Sequence, residues 1–181
     1  IRVDDVRKPT TGLIVHAGIV LKGTPKVGEM AFTSIDLKRR QDIMRNHTAT
    51  HLLHAGLRKI LGTHVRQAGS LVAPDRLRFD FTHPDAMSDH ELKQVRQFVN
   101  DAILDNEPLH ISEKNLQEAI DEGAMALFGE KYGERVRTVV IGEDEITSYE
   151  LCGGTHVDET GEIGSFIIVS ESSAAAGIRR I

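Results

Sequence analysis

Two short stretches constrain this chain more than anything else in it: Asn46–Leu61, NHTATHLLHAGLRKIL, and, roughly a hundred residues on, Leu151–His156, LCGGTH. Wound as a helix at about 100° per residue, the first stretch puts His47, His51, His54 and Arg58 along one stripe. Ala49, Leu52, Leu53, Leu57 and Ile60 fall on the other side, the ordinary core face of a helix. The histidines therefore point toward a cleft or another element. His47 and His51 are four apart, one turn above each other, and can reach one cation. The only cysteine, Cys152, is likewise followed four residues later by His156. Gly153 and Gly154 between them are expected to let the loop turn tightly enough for both side chains to converge. His-x3-His with Cys-x3-His is a set of four borderline-soft donors, and zinc is its first-choice occupant.

Each half of this pattern has an ordinary explanation by itself. Two histidines at helical spacing are usually solvated or hydrogen-bonded side chains. A single cysteine is usually a small buried filler. The pairing of the two motifs, with the histidines opposed to the apolar face, is what favours a metal. A zinc peptidase is excluded, because the glutamate of an HExxH motif is replaced by Thr48.

The chain has 181 residues, enough for one sizeable core with a smaller neighbour. A hydrophobic fraction of 40% and a charged fraction of 27% fit a globular protein that is not embedded in a membrane. No apolar run approaches a membrane span. One cysteine excludes an internal disulfide and fits a reducing compartment, so a cytoplasmic setting is expected. The start at Ile1 and the strand-like end GIRRI suggest a piece of a longer protein. Net charge is −5, yet its distribution is uneven. Ser34–Arg66 carries seven basic residues (Lys38, Arg39, Arg40, Arg45, Arg58, Lys59, Arg66) against Asp36 and Asp42, whereas Asp101–Glu122 carries seven acids against Lys114. The basic segment flanks the histidine helix and can attract phosphate, although two ordinary solvated faces would look the same.

In chain order, Gly12–Ile35 reads as two or three strands, GLIVHAGIVLKG and EMAFTSI, around a Pro25 turn. Lys38–Asn46 reads as a connector, Asn46 as the helix N-cap and Gly62 as its stop. THVRQAGSLV and LRFDF flank a Pro74-Asp75 turn as a hairpin in which Leu77, Phe79 and Phe81 alternate inward. Ser88 and Glu91 form a capping box for a long helix through Leu92, Val95, Val99, Ala102 and Ile103. A short strand at Leu109–Ser112, a short helix at Asn115–Glu122, a loop GAMALFGEKYGER, and strands at Arg137–Ile141, Glu150–Cys152 and Ser165–Ser170 complete the reading. The fold class is α+β: an antiparallel sheet with helices packed on it, preceded by strands of a small β-barrel. The expected division is 1–40 for the barrel end and linker, and 41–181 for the zinc-containing core.

HTATHLLH, RQAGSLV…LRFDF, GAMALFGEKYGERV, ELCGGTHV and AAAGIRRI together resemble the editing domain of the alanyl-tRNA synthetase family, over essentially the whole chain. His-x3-His with Cys-x3-His also occurs in threonyl-tRNA synthetase editing domains and in free-standing alanyl-tRNA editing proteins. The GSLV–LRFDF and FGEKYGERV segments are more similar to the alanyl type. The resemblance implies an editing-domain fold and hydrolysis of Ser-tRNA(Ala) and Gly-tRNA(Ala) with Ala-tRNA(Ala) spared. The need is physical. A pocket for a small side chain discriminates a methyl or hydroxyl difference by only ~10–200-fold, so a second, hydrolytic site is required.

By resemblance, His47, His51, Cys152 and His156 match the zinc positions, and Thr50, Gln67 and Ser70 match polar positions of the editing pocket. Thr50 and Gln67 are the expected catalytic positions, where they position water or bond the seryl hydroxyl or amine. Arg39, Arg40 and Arg45 are the candidate tRNA contacts. Implied partners are mischarged tRNA(Ala) and the rest of a synthetase chain, with ATP and Mg2+ belonging only to an aminoacylation domain not contained here. Four protein ligands describe a closed structural zinc, whereas water activation needs an open position. Hence either one ligand (His156 or His47) exchanges or the metal orders the pocket. The competing class is a non-catalytic tRNA-binding module with a structural zinc.

Overall fold

The computed structural model describes residues 1–10, 12–126 and 132–181, and the chain divides into two compact units, 1–35 and 36–181. The first unit is an antiparallel hairpin of β1 (Arg2–Thr10) and β2 (Leu13–Ile19). Gly12 turns it with φ of 79°, in the left-handed region that glycine tolerates. The expected strand at EMAFTSI does not form, and among the described residues this unit carries one hairpin. Met30 and Phe32 are exposed within the unit, so no packed face selects a strand there.

The second unit begins with α1 (Leu37–Leu61), ten residues earlier than expected. Asp36 is its N-cap, accepting from the Arg39 amide at 3.0 Å. LKRRQDIM is built of good helix formers, so the helix runs through the expected connector. Asn46 is thus an interior residue rather than a cap. Its amide reaches out to the Ala73 and Pro74 carbonyls at 2.7 and 3.3 Å and grips the adjoining hairpin turn. Gly62 ends the helix, as expected, while Arg58 donates to the Thr63 and Val65 carbonyls beyond it.

The hairpin is β3 (Gln67–Val72) with β4 (Leu77–Thr82), and it belongs to a four-stranded antiparallel sheet of order β3-β4-β9-β8. Here β8 is Ser172–Ala175 and β9 is Ile178–Arg180. Helix α2 (Asp89–Leu104) starts at the Ser88–Glu91 capping box. Leu52, Leu53 and Leu57 of α1, Val95 and Val99 of α2, and Phe79 and Phe81 of β4 make the main core, all fully buried. Period 3.6 on the helices and period 2 on β4 thus meet at one layer.

A second sheet holds β5 (Leu109–Asn115), β6 (Arg135–Ile141) and β7 (Ser148–Leu151) in that order, all antiparallel. Helix α3 (Leu116–Asp121) covers it, with Ala119 packed in a smaller cluster with Val136 and Leu151. Met125 runs alongside β7, bonding Tyr149 and Leu151 through its backbone. Residues 127–131 of the expected loop lie outside the described residues. Ser165–Ser170 forms no strand. The side chain of Asn100 takes both backbone groups of Phe166 (2.9 and 3.0 Å), so this segment bonds α2 in place of a sheet neighbour. Among the described residues the architecture is α+β, with antiparallel sheets and three α-helices. No described helix is long and apolar enough to cross a membrane.

Candidate metal centre

The inward edge of β7 and the loop after it lie against α1. Alternation along β7 sends Tyr149 and Leu151 toward α3 and Glu150 toward the helix. The chain then leaves the sheet as the CGG loop, which Arg137 holds by donating to the Cys152 and Gly154 carbonyls at 2.8 and 2.6 Å. The loop passes so close to α1 that a Cβ on Gly154 would lie 2.1 Å from Cε1 of His47. Gly153 has open space instead, so the two glycines do not share one role: Gly154 permits the close approach and Gly153 is not needed for it.

This approach brings together one ligand atom each from His47, His51, Cys152 and His156, all within 4.8 Å of one another. The Cys152 sulfur lies 3.4 Å from Nε2 of His47 and 3.4 Å from Nε2 of His156. For comparison, tetrahedral zinc with ordinary Zn–S and Zn–N lengths separates sulfur from nitrogen by about 3.6 Å. The outer nitrogens are occupied. Nδ1 of His47 faces the Thr155 carbonyl (3.3 Å), Nδ1 of His156 faces the Thr48 hydroxyl (3.2 Å), and Nδ1 of His51 faces Glu150 (2.7 Å). With each Nδ1 facing an outer partner, the three Nε2 atoms are left on the side of the sulfur, where a cation would take their lone pairs. Nε2 of His51 is buried with no hydrogen-bond partner, the orphaned atom that a cation would satisfy. The donor set therefore fits a tetrahedral soft-to-borderline cation.

Electrostatics favour the metal-ready state at the sulfur. Burial pushes the Cys152 thiol up, but the contacts with His156 and His47 and the nearby charge of His51 outweigh it and hold the thiol down at about 3. Burial lowers His156 to about 4, which keeps it neutral. Burial also pushes His51 down, yet the facing Glu150 carboxylate overrides this and raises it to about 10. Burial raises Glu150, and His51 with His54 pull it down to about 2. Loading a cation thus displaces a proton from His51, while the thiolate is already formed.

Three of the four donors, His47, His51 and Cys152, line a cavity of about 260 Å3, with Glu150 also in its wall. Thr50, Gln67 and Ser70 line the same cavity, with Thr50 contributed by α1 and the other two by β3. The Thr50 hydroxyl donates to the Asn46 carbonyl at 2.7 Å, which leaves its lone pairs for another donor. The three expected pocket positions and the four donors are therefore neighbours. The expected tRNA-contact arginines are not equivalent. Arg45 is engaged by Asp42 (2.9 Å) and by the Glu162 carbonyl (2.9 Å). Among the described residues no hydrogen bond or ion pair holds the guanidinium of Arg39 or Arg40.

Sequence reasoning passed over Glu150, Thr48 and Arg137, which orient the donors rather than supply them. Glu150 carried the clearest signal, an acid at the end of an apolar strand immediately before Leu151-Cys152. Such a residue is buried only with a partner.

Comparisons with known proteins identify the family. Residues 136–181 match the Threonyl and Alanyl tRNA synthetase second additional domain. The alanine--tRNA ligase of Desulforamulus reducens is 50% identical over 181 residues, covering all of this chain and 20% of the ligase. Those of Thermotoga maritima and Thermus thermophilus are 52% and 55% identical, each covering 99% of this chain and 20% and 21% of the ligase. The chain therefore spans about a fifth of the length of these relatives. Half-identity along its full length, joined to that domain match, makes the chain a member of the alanyl-tRNA synthetase family, the counterpart of one segment of those ligases.

Proposed function

We propose that this chain is an aminoacyl-tRNA deacylase of the editing type, which hydrolyses the ester of tRNA(Ala) mischarged with serine or glycine and spares Ala-tRNA(Ala). The observation that carries the reading is the convergence of His47, His51, Cys152 and His156, the first three of which line the same cavity as Thr50, Gln67 and Ser70. His47, His51, Cys152 and His156 hold the metal, and zinc is the cation that best fits one thiolate and three imidazoles. When bound, zinc would order the pocket wall, and it would supply a Lewis acid to the ester only where one of the four donors, His156 or His47, yields its position.

The chain's own groups do the rest. At about 260 Å3 the cavity is below the roughly 300–1,000 Å3 of drug-sized sites, so it suits a small aminoacyl group rather than a bulky one. Thr50 and Gln67 present hydroxyl and amide groups on adjoining elements, able to bond the seryl hydroxyl or the amine and to orient a water toward the carbonyl. Ser70 adds a further hydroxyl to the same wall. Polar groups built to bond a hydroxyl are left unpaired by alanine, which separates serine from alanine; glycine, which also lacks the hydroxyl, is not separated from alanine by this means.

Arg39, exposed, and Arg40, half-buried, are the cations offered to the tRNA backbone, with Arg45 contributing charge from its structural pairing. The setting is cytoplasmic, and the partners are tRNA(Ala) and the remainder of a synthetase. The division 1–40 and 41–181 becomes a barrel-end segment and an editing core.

The test is to incubate the chain at high concentration with Ser-tRNA(Ala), Gly-tRNA(Ala) and Ala-tRNA(Ala) and follow ester loss. Release of serine and glycine without alanine supports editing. Binding without hydrolysis favours a tRNA-binding module whose four protein donors only staple helix to loop. Gln67→Ala is expected to alter discrimination and leave metal content intact; loss of zinc in that variant removes its assigned role.

A further inference from the structure

We propose that Glu150 is a positioning residue that dictates which ring nitrogen His51 and His54 each present, so that His51 meets the cation through Nε2 while His54 stays outside the ligand set. The inference rests on the metal reading above and concerns a residue outside the four-donor set.

Glu150 is 3% exposed, and its two oxygens are both used by one helix face. One accepts from Nδ1 of His51 at 2.7 Å and the other from Nδ1 of His54 at 2.8 Å. The two histidines are three apart on α1, so a single side chain arriving from β7 spans both rings. An ionised carboxylate has acceptors and no donor. Both rings must therefore turn an N–H toward it, and both Nε2 atoms are left facing away. Both Nε2 atoms are buried without a hydrogen-bond partner among the described residues. They differ in what surrounds them. The His51 ring centroid lies 4.9 Å from that of His156 within the donor cluster, whereas the His54 ring lies 5.2 Å from Phe79.

Glutamine is the informative replacement, because it has nearly the same shape but one acceptor and one donor in place of two acceptors. Its NH2 must face one ring, and that ring has to accept at Nδ1 and carry its proton on Nε2. If the ring is His51, the ligand position is blocked by a proton. In the zinc-loaded chain the amide therefore turns its oxygen to His51 and its NH2 to His54. The metal thereby sets the tautomer of a histidine that it does not touch.

The experiment uses the 181-residue chain, zinc alone as the probe, and competition with a chromophoric chelator. Glu150→Ala is expected to weaken zinc binding by about 10–100-fold, the usual cost of losing a group that orients a metal-bound histidine. Glu150→Gln is expected to bind within about 10-fold of wild type. Nitrogen-15 NMR of the zinc-loaded proteins reads the tautomers, with His54 as Nδ1–H in wild type and as Nε2–H in Glu150→Gln. A purely structural carboxylate would lower the melting temperature without moving either readout. Unchanged zinc affinity in Glu150→Ala, or His54 remaining Nδ1–H in Glu150→Gln, overturns the proposal. If Glu150→Ala does not fold, the glutamine variant decides. A wild-type chain that takes up no zinc overturns this proposal and the metal reading together, whereas zinc uptake indifferent to Glu150 removes only this one.

Discussion

Gly154→Ala is the sharpest perturbation of the site, because it changes one carbon and no donor atom. An added Cβ would stand 2.1 Å from Cε1 and 2.5 Å from Nδ1 of His47. Ordinary contact begins near 3.4 Å, so the imidazole or the loop must retreat by about 1.3 Å. Metal–ligand distances tolerate only about ±0.2 Å. Retreat of the ring takes His47 out of reach of a cation held by the other three, and retreat of the loop takes Cys152 away. Either way one of four ligands is lost, and the expected fall in zinc affinity is at least the ~10–100-fold seen when merely an orienting partner is removed. Gly153→Ala is the matched control, since its Cβ meets nothing within 4 Å. Zinc affinity by chelator competition, with circular dichroism to verify folding, measures both. Equal affinities for the two alanine variants would refute the close-approach argument.

Three further outcomes follow from other parts of the molecule. Replacing Arg39 and Arg40 together with alanine is expected to weaken tRNA binding and reduce the slope of log K against log salt by about 1–2, and an unchanged slope removes this face as the contact. Leu53 is fully buried in the main core, so Leu53→Ala is expected to lower stability by about 2–5 kcal/mol in denaturant melts, and a loss under about 1 kcal/mol would contradict the packing described. The Arg180 guanidinium, bonded to Asp80 at 2.7 and 2.8 Å, holds that carboxyl below its usual value. The stabilisation is therefore present above the unfolded value of about 3.9 and fades as pH falls through the folded one. The stability gap between wild type and Asp80→Asn should be widest at neutral pH and close in acid, and a gap that persists unchanged at pH 2 argues against the pairing.

The donors themselves were legible because metal spacing is a local property: His-x3-His needs only a helix, and Cys-x3-His only a loop. Their convergence also followed, since the apolar face of α1 has one core to join and the histidines must take the other side. The capping box at Ser88 and the alternation of Leu77, Phe79 and Phe81 were readable for the same local reason. Three things were not. The start of α1 was misplaced because Asn46 has an N-cap side chain, and its use as a clamp on the Ala73–Pro74 turn depends on a neighbour that no local pattern names. Ser165–Ser170 has strand composition, but Asn100 takes the Phe166 backbone before another strand can. Glu150, Thr48 and Arg137 orient ligands from elements distant in sequence, and their roles exist only once β7 and its loop lie on α1. The different duties of Gly153 and Gly154 are likewise a matter of which one faces His47.

The central claim is that a cation held by four residues from two distant segments is required for ester hydrolysis on mischarged tRNA. It is tested most directly by measuring bound zinc and serine release from Ser-tRNA(Ala) on the same preparations of wild type and Cys152→Ala. The account predicts one zinc per wild-type chain with serine release, and the loss of both in the variant. Serine release by a zinc-free Cys152→Ala chain at the wild-type rate would contradict it.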